Sequence, residues 1–416
     1  MRYLMVVPVV GRPLGPGRFA IEGPFAHHLR TLREMMADEV DEIVVAGVHM
    51  SDATYERRKA TLGELDAATD RVSFVPLYPE GVGRAAFWTR CWPRAFATIA
   101  REVGRAGAVH ASPSADPWKP TEVASLAAGA ALGRTTVSVT DIDNRESGRM
   151  LFRTGRWSKS VYFRSRYFYE PIRDLQHRWI ARACDLVLFK GDALMRDYGE
   201  GRHNVKPFHD PGFESEQVVD EAFVDAKVAR VQRPGAPLRL LYFGRYVFYK
   251  GVHHMIEAFA KAGRADLELT LIGVGDMETE LRALVASLDL GECVRFVDPM
   301  SYDALLVAIR DYDVLLAAPL GVDTPRSTWD AFAAAMPVLA YDTEFYESFG
   351  AHFGCVDVVR WNDVDALAAG MARLVDDRAR VAAMSRAAAK AARENTQTSW
   401  LERRVAWTRE AMARRR

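Results

Sequence analysis

A chain of 416 residues is too long for one compact core and predicts two or three domains. Its 55 Lys+Arg residues balance 55 Asp+Glu residues, and a neutral total argues against the basic field that general nucleic-acid binding needs. The four cysteines, Cys91, Cys184, Cys293 and Cys355, lie far apart with no CxxC or Cys/His spacing; this speaks against structural zinc and for a reducing compartment. No run approaches the roughly 18 apolar residues of a membrane span. The start, Met1 to Val10, resembles a signal sequence only superficially, because it lacks a small-residue cleavage site and runs into Gly11-Arg12-Pro13. A cytoplasmic protein is expected.

Residues 3–10 read as a first core strand. The following stretch, 11–23, holds Gly11, Gly15, Gly17 and Gly23, a backbone-rich loop at the strand end where ligands of open α/β sheets bind. Phe25, Leu29, Leu32 and Met36 have helical spacing, with His27 and His28 at the helix start as substrate contacts or as ordinary exposed residues. Strands at 42–47, 72–77, 108–112 and 135–140 alternate with helices, near 88–103 and 121–132 among others. Such alternation specifies a doubly wound parallel sheet. The strand at 135–140 ends in Asp141-Ile142-Asp143-Asn144.

Residues 145–178 change character. Arg145, Arg149, Arg153, Arg156, Lys159, Arg164, Arg166, Arg173 and Arg178 outweigh Glu146, Glu170 and Asp174, a local charge of +6. Phe152, Trp157, Tyr162, Phe163, Tyr167, Phe168 and Tyr169 are interleaved. This pattern suits an anionic membrane surface or a phosphorylated acceptor, and equally a solvated helix with a buried aromatic face. Strands at 185–189 and 205–208 follow. Residues 214–236 are polar and end in Arg233-Pro234-Gly235-Ala236-Pro237, which marks a linker. The first domain is expected to span 1–215 and the second 216–399.

The second domain opens on Leu240 to Gly251. An apolar run stops at Gly244. Arg245 and Lys250 follow, then Gly251 and the amphipathic run from Val252 to Phe259. A strand, a cationic turn and a helix N-terminus form a seat for phosphate, since the helix start offers free N–H groups and a positive dipole end. The alternative is an ordinary turn with two solvated cations. Further strands are expected at 267–273, 294–297, 314–318, 337–342 and 356–359. Helices are expected at 277–288, 302–310, 328–335, 364–374 and 378–393, with a last amphipathic segment at 400–412.

The ordered series in this half resembles the donor domain of retaining GT-B glycosyltransferases, the group 1 or family 4 enzymes. Gly244-Arg245 and Lys250-Gly251 resemble that family's Gly-Arg and Lys-Gly pair. Leu271-Ile272-Gly273-Val274-Gly275 resembles its strand with Gly-x-Gly. Asp311 to Pro319 is similar to the strand before its donor loop, and Trp329 to Ala340 resembles its acidic-Ala-x-x-x-Gly-x-Pro-Val signature. In the first half, Ala183 to Val187 and Phe208 to Phe213 match in layout. Three departures stand out. The usual two glutamates around the donor loop become Val322, with Asp323 beside it, and Asp330. The usual histidine after the strand at 135–140 is replaced by Asp141. Ala335-Met336 replaces Gly-x before the proline.

The resemblance implies two Rossmann-like domains facing a cleft, with segment 400–416 crossing back to complete the first. It implies sugar transfer, with retention, from a nucleoside-diphosphate sugar to a glycan or lipid-linked hydroxyl. The resemblance implies that the donor would be a UDP- or GDP-sugar and that no further cofactor or metal would be needed. Arg245 and Lys250 would stabilise the leaving diphosphate. Gly244, Gly273, Gly275, Thr324, Pro325, Arg326, Ser327 and Thr328 would line the donor, Asp330 would take ribose hydroxyls, and Asp323 would take the sugar's hydroxyls. Asp141 would serve the acceptor side, beside the glycine-rich Gly15 and Gly17. The setting would be bacterial polysaccharide or glycolipid synthesis at the inner face of the plasma membrane. A non-catalytic nucleotide-sugar-binding subunit and a sugar-nucleotide epimerase of the same fold remain open alternatives.

Overall fold

The computed structural model describes residues 1–415 except 115 and 143, and no side chain at 60 or 144–146. Asp143, and the side chains of Asn144, Arg145 and Glu146, therefore lie outside the described residues.

Short apolar runs decide the architecture, because strands buried on both faces need no alternation. The first sheet comprises β1 (Arg2–Gly15), β2 (Arg18–Glu22), β3 (Glu42–His49), β4 (Leu62–Asp66), β5 (Val72–Pro79), β6 (Ala106–Ala111), β7 (Thr135–Thr140), β8 (Leu186–Phe189) and β9 (Val205–Pro207). Its parallel part runs β5-β3-β1-β6-β7-β8-β9. The second sheet comprises β10 (Leu238–Phe243), β11 (Leu267–Ile272), β12 (Val294–Val297), β13 (Val314–Ala317), β14 (Val338–Tyr341) and β15 (Val356–Val359). All its pairings are parallel, in the order β12-β11-β10-β13-β14-β15. Counted from β10 this is the doubly wound order 3-2-1-4-5-6, whose switch point lies between β10 and β13.

Three expectations are corrected. The stretch 11–23 is not an open glycine-rich loop at a strand end. β1 continues to Gly15, turns at Pro16-Gly17 and pairs antiparallel with β2, which pairs with β4. The reason is apolar: Phe19, Ile21 and Leu65 are buried together. Gly15 and Gly17 form the exposed tip of that hairpin. The polar linker at 214–236 contains a helix, Glu221–Val231, capped by the Asp220 side chain on Phe223 N–H. Its Val224, Val228 and Val231 are buried, a helical spacing hidden among charges. A helix at Glu344–Phe353 was also not expected from the sequence.

The last helix, Gln397–Arg415, crosses back to the first sheet. Val405 and Met412 join Tyr3, Met5 and Leu29 in one core, and Ala411 joins Val137 and Leu188 in another.

The 221–231 helix is pinned to the second sheet by a buried charge. Asp313, just before β13, is fully buried; the Arg230 guanidinium donates to it at 2.5 and 3.2 Å and the Arg239 backbone N–H at 2.9 Å. Removing one partner strands the other, at a cost of about 3–5 kcal/mol. Asp313→Ala should lower the urea midpoint by a corresponding amount, and an unchanged midpoint would show that the pair contributes nothing.

Candidate active site

At the switch point the loops leaving β10, β11 and β13 press against one another. Gly251 has φ of 66°, and a Cβ there would lie 1.9 Å from the Ala318 carbonyl oxygen. A Cβ on Gly273 would lie 1.9 Å from the Gly244 carbonyl oxygen, and φ there is 152°. Only glycine permits this approach. The contact is reinforced by Leu320 N–H donating to the Tyr249 carbonyl at 2.7 Å and Tyr246 N–H donating to Val274 at 2.9 Å. Gly244, Gly273 and Gly275 thus shape the floor by backbone packing.

Lys250 ends a short turn, Phe248–Lys250, before the helix Val252–Ala262. Its ammonium meets the Asp323 carboxylate at 2.5 Å, with both side chains about five-sixths buried. The β10 cation and the donor-loop acid therefore neutralise each other across the switch point. Arg245 is exposed and donates to the Tyr249 hydroxyl at 2.7 Å. The crevice among Tyr242, Lys250, Asp323, Pro325 and Ser327 holds only about 20 Å³.

The donor loop runs into the helix Arg326–Ala333. Thr328 is turned inward: its N–H bonds the Pro325 carbonyl at 3.3 Å, and its hydroxyl meets Tyr346 at 3.3 Å. This leaves the Arg326 and Ser327 N–H groups at the helix mouth. Asp330 is also turned inward. It is 5% exposed and accepts from the Tyr302 hydroxyl at 2.7 Å. Burial pushes its carboxyl up to about 7, against the pull of the Tyr302 hydrogen bond.

The first domain reaches this loop through Asp141 and through Lys190 and Asp210, which the sequence did not single out. Lys190, immediately after β8, is buried; it is paired with Asp210 and donates to the Thr324 carbonyl at 3.1 Å. Arg326 also meets Asp210, at 3.3 Å. The Thr324 hydroxyl donates to the Asp141 carbonyl at 3.4 Å. Solvent reaches Asp141, yet the surrounding protein raises its carboxyl above the ordinary range, with Lys190 opposing and Asp210 adding to the rise. From the terminal helix, Arg404 reaches His28 Nε2 at 3.2 Å and His110 Nδ1 at 3.1 Å. Burial, with the Arg404 charge, pushes His28 down to about 3 and lowers His110 too, so both imidazoles are neutral. A signal for Lys190 was its place at a parallel strand's carboxyl end. No sequence signal marked Arg404.

Beside this junction lies a cavity of about 540 Å³, open to both domains. Arg149, Arg153, Arg196 and Arg360 line it, with Phe345 and Trp361 as apolar wall. Arg153 stacks over Trp361 at 4.6 Å, and Arg156 stacks over Phe248 at 3.8 Å. Gly15 and Gly17 do not line it.

This geometry meets its parallels among known proteins. Solved structures of similar fold include Anabaena HepE in complex with UDP (TM-score 0.64, 14% identity, 99% of this chain and 100% of that one). The sucrose-phosphate synthase of Thermosynechococcus elongatus gives a TM-score of 0.62 at 15% identity over the whole of both chains. WaaG, a glycosyltransferase involved in lipopolysaccharide biosynthesis, gives 0.61 at 14% identity, covering 96% of this chain and 98% of that one. The fold is thus the α/β GT-B fold with parallel sheets. More particularly, residues 224–393 match the family model of glycosyl transferases group 1. A curated relative, the amylovoran biosynthesis glycosyltransferase AmsK of Erwinia amylovora, is 28% identical over 155 residues, 33% of this chain. The match spans 36% of that relative's length.

The Asp330 carboxyl yields a pH test. Its folded value near 7 lies above the ordinary carboxylate value, so the unfolded chain loses this proton first. Stability from this group is present at low pH and lost as pH rises toward 7 and beyond. Thermal melts of wild type and Asp330→Asn should therefore diverge in favour of Asn between pH 4 and 8, by up to ~4 kcal/mol. A difference independent of pH would show that Asp330 is charged throughout.

Proposed function

We propose that the protein is a retaining glycosyltransferase that moves a sugar from a nucleoside-diphosphate sugar to a hydroxyl of a glycan or lipid-linked acceptor. The observation that carries this reading is the Lys250–Asp323 pair at the switch point, inside the segment that matches group 1 glycosyl transferases. In the free protein the two charges satisfy each other. An arriving diphosphate competes for Lys250, and Asp323 is released to accept hydrogen bonds from the sugar.

The chemistry follows from where charge develops. As the anomeric C–O bond breaks, negative charge grows on the leaving phosphate oxygen. Lys250 as a point charge, Arg245 as a mobile fork and the Arg326 and Ser327 N–H groups answer it. Fixed side-chain cations fill this role without a metal or a resident cofactor. The acceptor hydroxyl attacks from the face the phosphate leaves, which retains configuration, and its proton passes to the departing phosphate oxygen. Asp141 orients the acceptor from the first domain. Tyr302 presents its hydroxyl to the ribose, and the Asp330 carboxyl behind it takes ribose hydroxyls once Tyr302 releases it. The 540 Å³ cavity is the acceptor's place, and its mixed lining of arginines with Asp323, Asp342 and Glu344 suits a hydroxyl-rich acceptor. The UDP complex of HepE supports a uridine donor, with GDP-sugar as the other choice. The names of AmsK and WaaG support bacterial polysaccharide or glycolipid synthesis.

One feature favours a binding subunit instead: Asp323 and Asp330 are both engaged by protein partners. The same experiment separates the two readings. Millimolar UDP should raise the melting temperature by mass action, and more than GDP or ADP does. Lys250→Ala should reduce transfer by about 10²–10³-fold, together with a lower melting temperature because the Asp323 carboxylate is left unpaired; the exposed Arg245→Ala should reduce transfer by less with little change in melting temperature. Nucleotide binding without transfer would favour the subunit, and turnover that survives both substitutions would remove the diphosphate assignment.

A further inference from the structure

The basic aromatic segment after residue 145 divides in two. Its early arginines, Arg153 and Arg156, turn to the second domain and stack on Trp361 and Phe248. Its later part turns outward. Phe163 is 53% exposed, Phe168 66% and Leu175 67%. A second run supplies a matching surface. Before and within the helix Trp92–Arg105, Trp88 and Phe96 project into solvent, linked by Trp92 at ring distances of 5.0 and 5.6 Å. Arg84 joins the two runs. It donates to the Tyr169 hydroxyl at 2.9 Å and lies over the rings of Tyr169 and the exposed Trp118 at 5.5 and 5.7 Å.

Isolated apolar side chains on a surface need no explanation, but a cluster of large aromatics does. Elsewhere they stand singly, as at Leu132, Leu288 and Val307. The charge pattern says what this face would meet. From Arg84 to Lys119 the chain carries Arg84, Arg90, Arg94, Arg101, Arg105 and Lys119 against Glu102 and Asp116, and from Trp157 to Arg178 it carries Lys159, Arg164, Arg166, Arg173 and Arg178 against Glu170 and Asp174; the excess stays cationic although Arg84, Arg101, Arg166 and Arg178 face those acids. Tryptophan, tyrosine and phenylalanine ringed by arginine suit the boundary between headgroups and acyl chains, where rings enter the apolar layer and guanidinium groups stay with the phosphates. Among the described residues no helix is long and apolar enough to cross a membrane.

We propose that Trp88, Phe96, Trp118, Phe163, Phe168 and Leu175, with the flanking arginines, form a docking face for an anionic lipid surface. The face lies apart from the Lys250–Asp323 site, and the proposal stands independently of the transfer reaction. The test is co-sedimentation of the full chain, without nucleotide sugar, with vesicles of phosphatidylcholine alone or mixed with phosphatidylglycerol. Binding should require phosphatidylglycerol and weaken with salt. The double variant Phe168→Ser/Leu175→Ser should bind about tenfold more weakly or worse. Its melting temperature should match wild type, because both side chains are already in water. Three results would each overturn the proposal: no phosphatidylglycerol-dependent binding at low salt, a double variant that binds like wild type, or a wild-type dimer in solution that the double variant abolishes, which would assign the face to a second copy of the chain.

Discussion

Lys190 is only 4% exposed, and a buried ammonium must find partners or lose its charge. Its partners are the Asp210 carboxylate from the loop after β9 and the Thr324 carbonyl of the donor loop. One side chain at the end of a first-sheet strand therefore fixes where the second domain's most important loop sits. Arg326 joins the same carboxylate, and the Thr324 hydroxyl joins the Asp141 carbonyl. The relative placement of Asp323, Asp141 and the mouth of the 326–333 helix is set by this cluster of contacts, with Ser348 and His352 holding Asp192 further along. Any opening of the cleft has to break it or carry the loop along.

An apolar joint lies beside the ionic one. His209 packs against Trp329, Phe349 and Trp400, with ring distances of 5.0–5.4 Å. Burial pushes its imidazole down to about 4, so it is a neutral ring among aromatics over the physiological range. The joint gathers one residue from the first domain's closing loop, residues from two second-domain helices and one from the crossing helix. The ionic joint is directional and the aromatic joint is not.

Much of the second domain was legible because its signals are local. Apolar runs before Gly244 and Gly273 mark buried strands, and Gly244-Arg245 and Lys250-Gly251 follow β10 at the switch point, with Asp330 in the helix that follows the donor loop. The hairpin at β2 escaped because its glycines and prolines resemble those of a loop, while the buried pairing of Phe19, Ile21 and Leu65 is a tertiary fact. The helix at 221–231 escaped because Asp220, Lys227 and Arg230 disguise it, although the valine spacing was there. The inward turn of Thr328 and Asp330 depends on Tyr346 and Tyr302, which the sequence places too far away to pair with them. Arg404 was out of reach for the same reason, since its contacts with His28 and His110 span most of the chain.

The crossing helix has a consequence in time as well as space. Tyr3, Met5, Val137 and Leu188 lie in strands laid down early, yet Val405, Ala411 and Met412 complete their cores. During synthesis the first sheet must wait with an uncovered apolar strip until the whole second domain has been made. Chains of this size fold domain by domain from the N-terminus, and exposed apolar surface invites aggregation meanwhile. The first domain is therefore the earlier to form and the later to be finished, and the nascent chain is most vulnerable after β9 is in place and before residues 397–415 emerge.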